Sequence, residues 1–206
     1  MAAILVDGSG ENLIAVASGA NHDLTGPNVS DRLSEVPAEN AVLLANLEVP
    51  AEAILAAAES AVSRGWRFVL NPAPARPLPP RLLALCEVVT PNEAEGDVLG
   101  SVEAMLGQGV GAVVLTLGAD GTQVHRSGES TVHQPPMPVE VVDTTGAGDA
   151  FNGALAWGLA SGHSLDDAVR RATAAGALAC RALGARASLP DLEELERAVA
   201  AWRAEP

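Results

Sequence analysis

Short apolar runs that alternate with stretches of helical spacing constrain this chain more than any other feature. Ala41-Val42-Leu43-Leu44-Ala45 is a continuous apolar run, as a strand buried on both faces requires. Pro50 then opens a helix at its first position. Ile54, Leu55, Ala58 and Val62 recur at helical spacing, and Gly65 closes the helix. Trp66 to Leu70 and Cys86 to Val89 read as further buried strands, and Ala112 to Leu117 as the central one. A helix pair is predicted over Glu93 to Gln108. Thr122 to Arg126 and Ser130 to Gln134 read as a hairpin across Gly128. Ala2 to Val6 and Asn12 to Ala17 read as another, around the turn Asp7-Gly8-Ser9-Gly10. Two helices follow Gly146, the second opening at Ser164-Leu165-Asp166-Asp167 in a capping-box-like start. A last helix carries Leu192, Leu195, Val199 and Trp202 on one face. This alternation predicts an α/β fold, a mostly parallel sheet with helices on both faces. In such sheets ligands bind beyond the carboxyl ends of the strands. Asn46, Glu48, Asn71, Asn92, Glu95, Gly118 and Asp149 all fall at those ends, which argues for one composite site. No repeat or linker interrupts the pattern, so residues 1–206 read as a single domain.

What the chain lacks narrows its chemistry. It contains no lysine, so a Walker-A loop, protein-kinase chemistry and Schiff-base catalysis are excluded. Phosphate, if handled at all, must be met by backbone amides, arginine and metal. The net charge of −14 argues against nucleic-acid or anionic-membrane partners. No apolar run approaches the ~20 residues that span a bilayer, and the N-terminus lacks the basic region of a signal peptide. Cys86 and Cys180 stand alone in apolar surroundings and read as reduced core thiols of a cytoplasmic protein. His22, His125, His133 and His163 are scattered and read as surface or loop residues.

Val142-Asp143-Thr144-Thr145-Gly146-Ala147-Gly148-Asp149-Ala150-Phe151-Asn152-Gly153 carries the most chemistry. Gly146, Ala147 and Gly148 are too small to shield their own amides, and a helix beginning near Asp149 aims its positive end at the same spot. That is an anion-binding turn with a carboxylate at its mouth. An acid repelled by phosphate makes sense there as a base acting on whatever attacks the phosphate. The plain alternative is a small-residue turn before a helix.

The stretch D-T-T-G-A-G-D-A-F-N-G resembles the second signature of the ribokinase family of carbohydrate kinases, the PfkB group. The resemblance extends from the first strand to the last helix. It implies a three-layer ribokinase-like fold and direct in-line phosphoryl transfer from ATP to the primary hydroxyl of a sugar, with ribose the first choice. In that scheme Asp149 takes the hydroxyl proton, and the amides of Gly146, Ala147 and Gly148 hold the charge on the transferred group. Thr116-Leu117-Gly118-Ala119-Asp120-Gly121 matches the family's nucleotide loop, so Thr116, Gly118 and Gly121, with Gly148 and Thr173, would line ATP. A tight turn into the hairpin is the plain reading of the same residues.

Thr90-Pro91-Asn92-Glu93-Ala94-Glu95 resembles the family's T-P-N-x-x-E element. By resemblance Asn92 would meet the nucleotide phosphates, and Glu95 would act through water on magnesium. A capping box has the same spacing. Asn46-Leu47-Glu48-Val49-Pro50 resembles a stretch whose Glu touches sugar hydroxyls. A surface acid at a helix N-terminus is the alternative for Glu48. Gly184-Ala185-Arg186-Ala187-Ser188 resembles a loop that, with Asp143 and Thr145, holds a monovalent cation such as potassium. The Asp143 carboxylate, the Ser188 hydroxyl and the carbonyls of Thr145, Ala179, Ala182 and Gly184 would be its ligands.

The chain departs from the family in one way. A typical member carries an N-terminal stretch with a glycine-pair sugar motif and lid strands, and nothing here matches them. The expectation is therefore a domain truncated at its N-terminus, lacking those strands and the lid, with activity impaired unless the absent portion is supplied. Three readings follow: a ribose kinase; a non-catalytic nucleotide-binding remnant; and a related kinase for a fructose derivative or a nucleoside. Monomer and homodimer both stay open.

Overall fold

A computed structural model of the chain describes residues 2–6, 12–16, 19–37, 39 and 41–203. In chain order the elements are β1 (Ala2–Val6), β2 (Asn12–Val16), α1 (Gly26–Ser34), β3 (Val42–Ala45), α2 (Ala51–Ser63) and β4 (Arg67–Leu70). They continue with α3 (Pro80–Leu83), β5 (Val88–Val89), α4 (Glu93–Leu99), α5 (Val102–Gly107), β6 (Ala112–Thr116), β7 (Thr122–Arg126) and β8 (Val132–Gln134). Three helices end the chain: α6 (Ala147–Ala160), α7 (Leu165–Ala179) and α8 (Leu192–Arg203).

The period-2 alternation of a strand explains the layers. Phe68 and Leu70 of β4, Val89 of β5 and Val113 of β6 face one way, into a core with Ile54, Leu82 and Met105 of α2, α3 and α5. Val69, Val88 and Val114 face the other way, against Phe151, Leu155 and Val169 of α6 and α7. Because both faces are covered, these strands read as unbroken apolar runs. A third cluster, including Leu178, Leu195 and Val199, seats α8 outside α7.

The main sheet has six strands in the order β3-β4-β5-β6-β7-β8. The pairings from β3 to β6 are parallel, and those from β6 to β8 are antiparallel. The predicted mostly parallel sheet is thus a parallel half finished by an antiparallel hairpin. β1 and β2 form a separate antiparallel pair. The turn predicted between them, with Gly10 and Glu11, lies outside the described residues.

Boundaries differ from expectation where capping decides them. Pro50 is the cap preceding α2 rather than its first residue. α6 begins at Ala147, two residues before Asp149, because Gly146 takes a left-handed conformation (φ 82°) that ends the preceding loop. Leu192, expected on the buried face of α8, is half exposed. The spacing of apolar residues points to neither α1 nor α3. α1 is capped by the Thr25 side chain with Pro27 in its first turn, and α3 begins at Pro80. Both cysteines are free and buried. Burial pushes the Cys86 thiol up to about 12. Among the described residues no helix is long and apolar enough to cross a membrane.

Candidate active site

Every parallel strand of the main sheet ends on the same side, and the polar residues that follow them collect there. Asn46 follows β3, Asn71 follows β4, Thr90 follows β5, and Thr116 ends β6. The ladder runs past the strands: Asn71 N–H donates to Ala45 O (2.8 Å), Thr90 N–H to Leu70 O (3.0 Å) and Thr116 N–H to Pro91 O (2.9 Å). α6 packs across β3, which brings its first turn over this edge. Ligands of open α/β sheets bind at this edge.

Asp149 lies in that first turn, exposed, its carboxylate making no hydrogen bond or ion pair to another described residue. It lines a cavity of about 410 Å³ together with Asn46, Asn71, Asn152 and Gly153, whose floor is apolar. It also lines a second, mainly apolar cavity of about 280 Å³ between α6 and α8. The carboxylate therefore stands on the rim between two concave surfaces. It is not absorbed into a structural ion pair.

The turn before it has one engaged amide and one open face. Ala147 N–H donates to Thr144 O at 3.2 Å. A Cβ on Gly148 would meet nothing within 4 Å, so its side of the turn is open. A Cβ on Gly146 would come within 2.9 Å of Ala185 Cβ, so the loop after α7 presses on this glycine. That loop is tied down by Asp143. Its Oδ1 accepts from Thr145 N–H (2.9 Å) and Thr145 Oγ1–H (2.7 Å), and its Oδ2 accepts from Gly184 N–H (2.9 Å). The Thr145 hydroxyl and the Gly184 and Thr145 amides hold the Asp143 carboxyl below the ordinary aspartate range. Ser188 Oγ donates to Gly184 O (2.8 Å). Asp143, Thr145, Gly184 and Ser188 are thus gathered in one place. Ala179 closes α7 in the core, and Ala182 is exposed in the turn beyond it.

The element after β5 adopts the plain alternative in full. Asn92 Oδ1 accepts from Glu95 N–H (2.8 Å), and Glu95 Oε2 accepts from Asn92 N–H (2.9 Å), closing a capping box on α4. Asn92 also bridges to Thr116, which places the two predicted nucleotide-side elements side by side. Gly118 (φ 55°) is open around its Cβ position. A Cβ on Gly121 would sit 2.3 Å from Gln134 O, so the hairpin itself demands that glycine. Thr173 is buried. Its hydroxyl donates to Val169 O (2.9 Å) and pairs with Thr122 Oγ1 (3.1 Å) behind that hairpin. Glu48 is exposed and does not line the larger cavity, although Asn46, two residues earlier, does; Asn46 Oδ1 accepts from Glu48 N–H (3.2 Å).

Two residues at the centre of this edge had no predicted role. Thr90 and Asn152 are both buried, and Thr90 Oγ1–H donates to Asn152 Oδ1 at 2.6 Å. Asn152 Nδ2–H donates to Gly148 O (2.9 Å), and Asn71 Nδ2–H donates to Thr90 O (3.3 Å). No local sequence signal pairs residues 62 positions apart.

Comparison with known proteins bears on the family and the fold. The family model described as pfkB family carbohydrate kinase matches residues 1–192. The ribokinase of Haemophilus influenzae is 38% identical over 206 residues, covering 94% of this chain and 67% of that protein. The crystal structure of Thermotoga maritima ribokinase superposes with a TM-score of 0.84 at 34% identity, covering 97% of this chain and 69% of that one. The structure of Arabidopsis thaliana ribokinase complexed with ribose and ATP superposes with a TM-score of 0.83 at 26% identity, covering 96% and 68%. The chain spans about two thirds of the length of these relatives. With a family model matched along nearly its whole length and the family's glycine-acid turn set at the carboxyl edge of a three-layer sheet, the chain belongs to the pfkB family of carbohydrate kinases.

Proposed function

We propose that this chain, as one domain, transfers the terminal phosphoryl group of ATP to the primary hydroxyl of ribose. The observation that carries the reading is Asp149: an exposed, unpartnered carboxylate in the first turn of α6, beside the open face of Gly148. Its task is to accept the proton of the attacking hydroxyl. The amides of Gly146, Ala147 and Gly148, at the positive end of α6, would meet the charge on the transferred phosphoryl group, Ala147 by leaving its 3.2 Å bond to Thr144 O. The similarity to ribokinases supports ribose as the sugar, and the cavity holding Asn46 and Asp149 supplies polar groups for its hydroxyls. Glu48, exposed two residues beyond Asn46, would meet the sugar hydroxyls from outside that cavity's lining.

Thr116, Gly118 and Gly121 line the nucleotide, while Thr173 backs the Gly121 turn through Thr122 rather than touching it. Asn92 meets the phosphates. Only one oxygen of Glu95 is engaged by the cap, which leaves Oε1 for a water on magnesium. Magnesium, when bound, neutralises phosphate charge. Asp143, Thr145, Gly184 and Ser188, with the carbonyls of Ala179 and Ala182, would hold a monovalent cation. A carboxylate offers about four acceptor positions, and Asp143 uses three of them on protein donors. A cation held there would steady the Gly146 turn, against which Ala185 of the loop after α7 packs.

The test is ATP-dependent phosphorylation of ribose by wild type and Asp149→Asn, with nucleotide binding measured in parallel. The expected outcome is a rate loss of about 10²–10⁴-fold with nucleotide affinity retained. Wild-type turnover in Asp149→Asn removes Asp149 as the base. Nucleotide binding without turnover in both proteins would make the chain a nucleotide-binding remnant.

A further inference from the structure

We infer that Thr90 and Asn152 are a positioning pair that makes the two halves of the site one rigid unit. The halves come from distant parts of the chain. One is the segment after β5, with Pro91, Asn92 and Glu95; the other is the first turn of α6, with Gly148 and Asp149. Between them the structure places one hydrogen bond joining two buried side chains, Thr90 Oγ1–H to Asn152 Oδ1 at 2.6 Å. A second acceptor, the backbone carbonyl Leu70 O, lies 3.4 Å from the same Oγ1, beyond the usual O–H···O range. The other end of the Asn152 amide donates to Gly148 O, inside the anion-binding turn. Thr90 is the residue immediately before the Pro91-Asn92 element, and Asn71 holds its carbonyl from β4. A displacement of either segment must therefore break or drag the other.

The surroundings make this link costly to leave unmade. Thr90 and Asn152 are 2% and 5% exposed, so a group orphaned there keeps little access to water. A polar pair at this depth thus supplies orientation rather than burial. It sets where the Asp149 carboxylate lies against the phosphates near Asn92. Thr90 does not line the cavity beside Asp149, and Asn152, which does, spends its amide on Thr90 and Gly148, so both act through others. The catalytic part of the inference rests on the proposed phosphoryl transfer; the mechanical part does not.

The experiment uses the full chain and compares Thr90→Val, Thr90→Ser and wild type by hydrogen exchange and by steady-state kinetics with ATP and ribose. Thr90→Val should raise amide exchange at residues 147–150, across the link, by about tenfold, the effect of one lost hydrogen bond. α8 should exchange as in wild type. kcat should fall by about ten- to a hundredfold, the scale of a misplaced reacting group, with both KM values unchanged. Thr90→Ser, which keeps the donor, should behave as wild type. If Thr90→Val does not fold, Asn152→Ala reads the link from the other side, as faster exchange at residues 92–95. Unchanged exchange across the link overturns the inference, as does a wild-type kcat in Thr90→Val. A rise shared equally by α8 also overturns it, since that is a plain loss of stability. If wild type transfers no phosphoryl group at all, the proposed function fails, and the exchange data still decide the coupling.

Discussion

At the scale of single residues, the two glycines of the G-A-G turn are not equivalent. Gly146 is required by geometry, through its left-handed φ of 82° and its 2.9 Å approach to Ala185. Gly148 has helical backbone and open space around its Cβ position. Gly146→Ala should therefore destabilise the fold by about 1–3 kcal/mol, read as a shift in the denaturation midpoint. Gly148→Ala should leave stability equal or raise it by up to about 1 kcal/mol, yet weaken ATP binding, because the new methyl stands where the amide must meet phosphate. Titration calorimetry on the two variants separates a structural glycine from a functional one. If Gly148→Ala binds nucleotide as wild type does, the anion is not held at this turn. Cys86 makes a simpler point: a thiol pushed up to about 12 stays protonated at neutral pH and should resist alkylation until the protein unfolds.

At the scale of elements, the helix ends carry much of the site's order. Asn92 illustrates why motif and cap coincide: the same side chain that would meet phosphate already closes a box with Glu95. Asn92→Ala should lower stability by about 1 kcal/mol through the lost cap, whether or not it touches nucleotide. The diagnostic quantity is thus the ATP affinity remaining once that variant is shown to be folded. Ser164 caps α7 in the same way, accepting from Asp167 N–H, far from the site. Ser164→Ala should cost a similar ~1 kcal/mol with no effect on ATP affinity, which makes it the control. Further from the site, α7 and α8 are clasped by Arg171, 8% exposed, whose Nε–H and Nη2–H donate to the two oxygens of Glu196 (2.7 and 3.3 Å). That fork fixes α8 against α7 without reaching the sheet edge.

At the scale of the whole molecule, the six-stranded sheet has β3 at one edge and β8 at the other. β3 is short and apolar, with Leu44 36% exposed, and the larger cavity runs beside it. An unpaired apolar strand edge invites association. Leu44→Lys should reduce concentration-dependent self-association, measured by light scattering, without lowering the denaturation midpoint. Equal association in wild type and variant would show that β3 is not the adhesive edge. The larger cavity has Asp149 and Asn46 at its polar end and this apolar edge at its floor. Occupation of the candidate site and association at β3 therefore draw on one continuous surface.

Much of this protein is legible in its sequence because the relevant physics is local. The strand pattern from Ala112 to Thr116, the helical period of α2, the caps at Ser164 and Asn92 and the small residues of the G-A-G turn each depend on residues a few positions apart. The strand ends likewise marked the edge where Asn46, Asn71 and Asp149 line one cavity. Contacts that exist only once the layers have stacked join residues distant in the chain. Nothing near Thr90 announces Asn152, and nothing near Asp143 announces the Gly184 amide that it holds. α1 and α3 leave little trace in the sequence because their helical stretches are short and their stability comes from packing rather than periodicity. Leu192 lies at the solvent side of α8, where its spacing alone placed it in the core. Periodicity and capping are properties of adjacent residues. The meeting of two polar groups depends on how whole layers stack, and that follows from burying both faces of the sheet at once.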